Sequence, residues 1–419
     1  MNDDRRRSAA PYPIRPVTEA EWPKFKDLDG EAFNLSAPPE VQDQFKEVLE
    51  FERTLGAFDG DLLVGFTTVF SLTMTVPGGP IPVAGVSAVS VLASHRRKGI
   101  LRSLMTRQLA DLHEGGESVA ALYASEAGIY GRFGYGRAAD TLFFRIPKLG
   151  SAFVPDVPSD PALRLRVAKP AEARGELEKV FAEVVTSRPG LYARSEGRWN
   201  GALRDSDYDR QGAGPLRCVL AEDDHGTRGY ALFRVKEGWN EHDLPDGELR
   251  LKELFAVDDA AYAALWRSAL DRDLCARLYA WSRPVDDPLI HLLADPRQLH
   301  AGWMDDLWVR VVNLGEAMTA RRYSAPVDVV LEVSDPLCPW NEGRWRLTAD
   351  AKGAAVCERT TSPADLELPV SVLGSGYLGG RPLTPLARAG AVRELRQGAL
   401  KELSTAMSWE PRPWAGLIF

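Results

Sequence analysis

The segment Val89–Arg102 carries the residues whose types and spacing best suit chemistry with an anion. A β-branched apolar run is followed there by Arg96, Arg97 and Lys98, and then by Gly99 before a helical pattern. Free N–H groups at a helix start bind phosphates, and glycine lets such a ligand approach the backbone. The segment therefore predicts a pyrophosphate site; the alternative is a solvated basic helix start without a ligand.

A second segment, Ala124–Gly136, reads ASEAGIYGRFGYG and follows a strand-like apolar run. Together with the Arg96-x-x-Gly99 spacing, it resembles the Eis (enhanced intracellular survival) family of GNAT acetyltransferases. Leu101 departs from the small residue that usually ends the GNAT loop signature. The resemblance covers essentially the whole chain and implies acetyl-CoA as acyl donor and a primary amine as acceptor.

The resemblance also assigns roles within direct transfer in a ternary complex. Tyr130 would act as the general acid toward the leaving thiolate, and the α-carboxylate of Phe419 would be the general base. Backbone N–H groups of Val89–Val91 would stabilise the carbonyl oxygen as it gains charge. The predicted coenzyme contacts are Val89, Ser90, Val91, Arg96, Arg97, Lys98, Gly99, Ile100, Leu101, Arg102, Ser125 and Glu126.

The proposed acid and base suit the reaction to different degrees. A phenol, with an ordinary pKa of about 10, is protonated at neutral pH and is close in acidity to a thiol. A terminal carboxylate, with a pKa of about 3.5, matches an alkylammonium poorly, and transfer through water or an apolar pocket would ease the mismatch. The structural alternatives are a buried tyrosine and a frayed terminus, although the apolar run Trp414–Phe419 argues against fraying.

The acceptor pocket has candidate aromatic walls in Trp22, Phe25 and Phe33, with core packing as the alternative role for each. Family members that acetylate aminoglycosides place carboxylates where this chain has Leu35 and Ile418. Opposite charges contribute appreciably in a partly desolvated site. We therefore expect a less acidic pocket and weak or narrow aminoglycoside activity.

Charge, cysteine content and hydropathy argue against several other classes of protein. The 419 residues carry a net charge of −8, which argues against general nucleic-acid binding. The 4 cysteines and 6 histidines show no metal-ligand spacing, so we expect no metal and reduced thiols in a cytoplasmic protein. No apolar run follows Met1–Ala10, and glycines and prolines interrupt Val76–Leu92, so neither a signal peptide nor a membrane span is predicted. His95, beside two arginines, is expected to face solvent.

Three regions follow from the patterning, and together they predict a mixed α/β (α+β) fold class. Residues 1–150 alternate helix and strand patterns, from a helix at Glu19–Leu28 to a last strand at Thr141–Ile146. The resemblance implies that this region is the GNAT acetyl-CoA-binding domain. Residues 151–299 form a second, degenerate GNAT-like domain. For residues 300–419 the resemblance implies a sterol-carrier-like domain that supplies the C-terminal carboxylate, and it implies a homohexamer.

The second region aligns weakly with the first when Arg267-Ser268 is placed under Arg102-Ser103. In that register Ala261 takes the place of Arg96 and Ala264 the place of Gly99. The second copy therefore lacks the residues of the predicted anion site.

The leading interpretation is an acetyl-CoA-dependent N-acetyltransferase. The alternative is a non-catalytic scaffold with a vestigial GNAT domain and an apolar ligand in the sterol-carrier-like domain. Intact Arg96, Gly99 and Tyr130 favour the enzyme. An acyl donor longer than acetyl stays open here, because sequence does not set the volume of a pocket.

Overall fold

A computed structural model describes residues 12–416 and 418–419; the predicted tail Met1–Ala10 lies outside the described residues. The chain folds into two compact units. One holds the chain up to Ala139 with Asp306–Glu410 and Ile418–Phe419, and the other holds Asp140–Asp305 with Pro411–Leu417.

The amino-terminal part of the first unit contains two helices before a long hairpin, then the helix that follows the basic loop. Its elements are β1 (Ile14–Arg15), α1 (Trp22–Phe33), α2 (Pro39–Val48), β2 (Thr54–Asp59), β3 (Leu62–Val76), β4 (Gly79–Val91), α3 (Ile100–Glu114), β5 (Val119–Tyr123) and β6 (Gly136–Arg137). Helix α1 begins three residues later than predicted, after a 3₁₀ turn, and extends to Phe33, where Asn34 ends it in the left-handed conformation.

The second unit repeats a strand-rich pattern with helices on its connections. Its elements are β7 (Asp140–Pro147), β8 (Arg164–Ala168), α4 (Arg174–Val184), α5 (Glu196–Leu203), α6 (Asp207–Arg210), β9 (Arg217–Asp223), β10 (Gly226–Lys236), β11 (Gly247–Ala256), α7 (Asp259–Leu270), β12 (Cys275–Pro284), α8 (Leu289–Leu292) and β13 (Gly302–Asp305).

The carboxy-terminal part of the first unit adds one strand to the first sheet and then builds a sheet of its own. Its elements are β14 (Leu307–Val311), α9 (Leu314–Ala320), β15 (Val327–Ser334), β16 (Gly343–Ala349), β17 (Ala355–Arg359), β18 (Leu366–Pro369), α10 (Val370–Gly376), α11 (Leu383–Arg388), β19 (Arg393–Glu394) and α12 (Ala399–Met407).

Three sheets organise these strands. Their orders are β1-β2-β3-β4-β5-β14-β6, β13-β7-β12-β11-β10-β9-β8 and β17-β16-β15-β18-β19. In the first sheet only β4 and β5 run parallel, so the mixed, largely antiparallel α/β prediction is confirmed. Strand β7, predicted to be the last of the first region, pairs instead with β12 and β13. Strand β14, predicted in the third region, pairs with β5.

Helix α3 covers the first sheet with the apolar stripe that its sequence predicts. Leu104, Met105, Leu109 and Leu112 are buried, and buried Gln108 donates from Nε2 to Thr67 Oγ1 at 3.0 Å. Burying such a stripe fixes the rotation of the helix, because its apolar side chains must all face the sheet. The amino end of α3, with the basic loop, is thereby held beside the end of β4.

Candidate active site

The loop before α3 takes the conformation that an anion site needs. Gly99 is the N-cap residue with a φ of 86°, and Arg97 has a φ of 64°. The first intrahelical hydrogen bond runs from Ser103 N to Gly99 O at 3.0 Å. The N–H groups before Ser103 are the ones that a helix start leaves without intrahelical partners.

A bulge interrupts β4 just before this loop. Ser87 pairs with Thr68 and Ser90 with Phe66, so Ala88 and Val89 face the single residue Thr67. Ala88 has a φ of 51°, a strained value for a residue with a side chain. A bulge of this kind disrupts the ladder locally and re-aims the backbone. The bulge therefore overlaps at Val89 with the Val89–Val91 segment predicted to stabilise the carbonyl oxygen.

Strands β4 and β5 separate beyond their pairing. Their parallel register is limited to Ala84 with Ala120 and Gly85 with Ala121. Both strands continue past these pairs, to Val91 and Tyr123 respectively. The gap that opens between them is the feature in which GNAT folds hold the acyl thioester.

A cavity of about 910 Å³ lies at this gap. We call it the large cavity. All predicted coenzyme contacts except Lys98 line it, and Arg96, Arg97 and Arg102 give it positive charge. Its far wall comes from two segments after β15 and β18, Ser334–Leu337 and Pro369–Ser371. No pattern in the sequence could have found these segments, which lie more than 200 residues from the loop.

His95 also lines the large cavity, and the expectation that it faces solvent is wrong. The side chain is buried, with Nε2 3.2 Å from Asp59 Oδ2 and Nδ1 2.9 Å from Ser94 Oγ. The 3₁₀ turn Ala93–His95 between β4 and the loop directs the ring inward, which residue type alone does not reveal.

A second cavity of about 90 Å³, the small cavity, shares Phe33, Val89, Ser125 and Tyr130 with the large one. Tyr130 is 4 % exposed. Burial, with a smaller contribution from the charge of Glu126, raises the pKa of its hydroxyl to about 12. The hydroxyl therefore stays protonated at neutral pH but is a weaker acid than an ordinary phenol.

Phe419 lies at the small cavity with its side chain and its carboxylate both held. The residue is 8 % exposed, and its ring centroid is 5.0 Å from that of Tyr123. Ser87 Oγ donates a hydrogen bond to a carboxylate oxygen of Phe419 at 3.0 Å. The structure thus brings Phe419 and Tyr130 together on one cavity wall.

The other predicted pocket residues divide into two groups. Phe33 and Ile418 line the small cavity. Trp22 and Phe25 are buried in an aromatic cluster, with Phe25 4.3 Å from the Phe66 ring centroid, and they line neither cavity. Leu35 is 47 % exposed and also lines neither, because it lies beyond the end of α1.

In the second unit, the start of helix α7 differs from the start of α3 in the residue that caps it. Asp258 is the N-cap of α7; its Oδ1 accepts from Ala261 N at 2.9 Å, and its Oδ2 accepts from Arg228 Nε at 2.7 Å. A carboxylate in this position satisfies the helix start and repels a phosphate. The loss of anion-binding residues inferred from Ala261 and Ala264 is thus accompanied by an added acidic cap.

The gap between β11 and β12 is also filled in this unit. Their parallel pairing ends at Leu251 with Ala280. Beyond it, Arg283 Nη1 donates to Leu254 O at 3.3 Å and Arg283 Nε donates to Asp287 Oδ2 at 2.6 Å. A buried, paired guanidinium therefore spans the gap between these two strands.

Comparison with known proteins matches three family models along the chain. Two are described as acetyltransferase (GNAT) domains, over residues 13–138 and 190–311, and one as a sterol carrier protein domain, over 314–416. The N-acetyltransferase Eis of Mycobacterium tuberculosis is 34 % identical over 403 residues, covering 93 % of this chain and 95 % of the relative. The chain belongs to the Eis family of N-acetyltransferases.

Other Eis-like proteins agree with this assignment. An uncharacterised N-acetyltransferase of Streptomyces avermitilis is 45 % identical over 96 % of this chain and 98 % of its own length. The crystal structure of Eis1 from Mycobacterium abscessus superposes with a TM-score of 0.82 at 32 % identity, covering 97 % of this chain and all of that one. The two-GNAT and sterol-carrier-like architecture predicted from the sequence is confirmed, and the chain is an acetyltransferase of the Eis type.

Two further findings, on metal-binding clusters and on membrane-spanning helices, concern the described residues alone. Within residues 12–416 and 418–419, no cluster of three or more His, Cys, Asp or Glu side chains is arranged to hold a metal ion. Over the same residues, no helix combines the length and the apolarity that crossing a bilayer requires.

Proposed function

We propose that this Eis-family acetyltransferase moves the acetyl group of acetyl-CoA directly to a primary amine. The observation that supports the proposal is that Phe419, Tyr130 and the bulge residues Ala88 and Val89 all line the small cavity. The coenzyme would occupy the large cavity, with its pyrophosphate at Gly99 and its thioester at the wall that the two cavities share.

In the proposed reaction the amine nitrogen attacks the thioester carbonyl carbon. A C–N bond forms, the C–S bond breaks, and its electron pair leaves with sulfur. The Phe419 carboxylate takes the proton that the amine loses, directly or through a water molecule. Backbone N–H groups at the bulge, in Val89–Val91, would stabilise the carbonyl oxygen as it gains charge.

Tyr130 keeps the proposed role of general acid toward the leaving thiolate. Burial raises the pKa of its hydroxyl to about 12, so the hydroxyl is protonated at neutral pH and can donate to the sulfur. The same burial would raise the pKa of a thiol in this site, which favours its protonated form. A hydrogen bond from the hydroxyl to the developing thiolate stabilises the leaving group before the proton moves.

The decisive test replaces the α-carboxylate of Phe419 by an α-carboxamide through protein ligation, with a ligated native carboxylate as the matched control. Thiol release from acetyl-CoA with a panel of amines would report turnover, and the thermal shift caused by acetyl-CoA would report binding. We expect at least a 100-fold lower kcat for the carboxamide, with an unchanged thermal shift. Equal turnover would remove Phe419 from the mechanism, and no turnover or shift in either protein would contradict the donor proposal.

Three further expectations accompany this proposal and rest on the family resemblance. They are a cytoplasmic location, assembly as a homohexamer, and acetyl rather than a longer acyl group as the transferred unit. The scaffold alternative is set aside, because the relatives with the same architecture are N-acetyltransferases. Weak or narrow aminoglycoside activity stays a prediction.

A further inference from the structure

The residues that line the small cavity determine which amines it can hold. Its walls combine aromatic and aliphatic side chains with hydroxyl-bearing ones, the latter being those of Ser87, Tyr123, Ser125 and Tyr130. Among the described residues, no Asp, Glu, Lys or Arg side chain lines it. The anionic group at this cavity is the Phe419 carboxylate, which Ser87 holds at 3.0 Å.

Two acidic side chains, Glu126 and Asp335, line the large cavity and not the small one. Asp335 is committed to a buried ion pair, with both of its carboxylate oxygens within 2.8 Å of Arg310 Nη2. Glu126 lies at the cavity that the coenzyme would occupy, so neither carboxylate lies inside the small cavity.

Charge limits what the small cavity can hold. One ammonium can be neutralised at the Phe419 carboxylate. A second ammonium inside the cavity would lose hydration without a charged side chain to compensate it, which is unfavourable.

We infer that the acceptor is a primary monoamine, whose single ammonium meets the Phe419 carboxylate and whose remaining atoms carry no second positive charge. This inference rests on the proposed function and narrows it. It separates this chain from transferases for polyamines or aminoglycosides, which carry several positive charges at neutral pH.

An isosteric pair of amines tests the inference. Pentylamine and 1,4-diaminobutane have the same number of non-hydrogen atoms, and they differ by one methyl group replaced by an ammonium. We expect kcat/KM for pentylamine to exceed that for the diamine at least tenfold, although the diamine has two equivalent reactive groups. Equal or faster turnover of the diamine overturns the inference and leaves the proposed function standing. Bound acetyl-CoA without turnover of any amine overturns the proposed function itself.

A pair of variants tests the same point from the protein side. Ile418 is 58 % exposed and lines the cavity, so Ile418→Glu adds a carboxylate there without filling the core. Ile418→Gln is the uncharged control of the same shape. We expect the glutamate to shift the kcat/KM ratio at least tenfold toward the diamine relative to the glutamine. Equal ratios in the two variants would contradict the charge argument.

Discussion

At the residue scale, the candidate site depends on the protonation state of one polar group and on the position of another. Burial keeps the Tyr130 hydroxyl protonated, and Ser87 fixes a carboxylate oxygen of Phe419. The family resemblance, together with residue type and motif spacing, pointed to both Tyr130 and Phe419. They could not reveal the raised pKa of Tyr130 or the inward turn of His95, because each depends on packing by residues distant in sequence.

Tyr130→Phe removes the hydroxyl and keeps the ring. We expect kcat to fall about 100-fold while the KM for acetyl-CoA changes less than threefold, because a hydrogen bond to the thiolate forms only as the thioester breaks. A group with a pKa of about 12 stays protonated below that value. The wild-type pH–rate profile should therefore show no alkaline loss from Tyr130 below about pH 10. A steady-state thiol assay from pH 6 to 10 measures both, and an unchanged kcat would contradict the role.

At the element scale, the donor site depends on a strand that bulges and a helix that begins at a left-handed glycine. The sequence predicted the helix after Gly99 closely, because its apolar stripe is regular. It could not assign strands to sheets: β7 and β14 each carry an ordinary strand pattern, and only pairing across the chain decides which sheet accepts them. Nor did periodicity show where β4 bulges.

Gly99→Ala tests the conformation of the loop. A Cβ at Gly99 meets no atom within 4 Å, so its cost comes from the φ of 86° alone. We expect the free energy of unfolding to fall by about 1 kcal/mol and the KM for acetyl-CoA to rise several-fold.

Gly175→Ala in α4 is the matched control, since a Cβ there also meets open space without a positive φ. This control should be neutral or stabilising by about 0.5–1 kcal/mol. Denaturant unfolding and acetyl-CoA titration of both variants measure the difference. Equal stabilities would contradict the strain argument.

At the scale of the whole molecule, the first unit joins a GNAT sheet and a sterol-carrier-like sheet around one cavity. Arg310 of β14 and Asp335 after β15 form an ion pair in which the two side chains are 0 % and 1 % exposed. Asn341 Nδ2 also donates to Asp335 Oδ2 at 2.9 Å. This buried network fixes the segment Ser334–Leu337 that forms part of the far wall of the large cavity.

Asp335→Asn removes the charge that compensates Arg310. We expect the free energy of unfolding to fall by about 3–5 kcal/mol, because breaking a buried pair leaves an uncompensated charge. The control is Asp328→Asn, which breaks the exposed pair with Arg346 and should cost about 0–1 kcal/mol. Chemical denaturation compares the two. Similar losses of unfolding free energy in the two variants would show that the Arg310–Asp335 pair does not fix this wall of the large cavity.

The acidic cap of α7 has a consequence for the number of coenzyme molecules that one chain can bind. Two GNAT folds in one chain would suggest two donor molecules per chain. Asp258, however, presents its own negative charge to the helix start, and Arg283 fills the strand gap beyond it. We therefore expect each chain to bind one donor molecule, so that the duplication doubles the fold but not the predicted donor site.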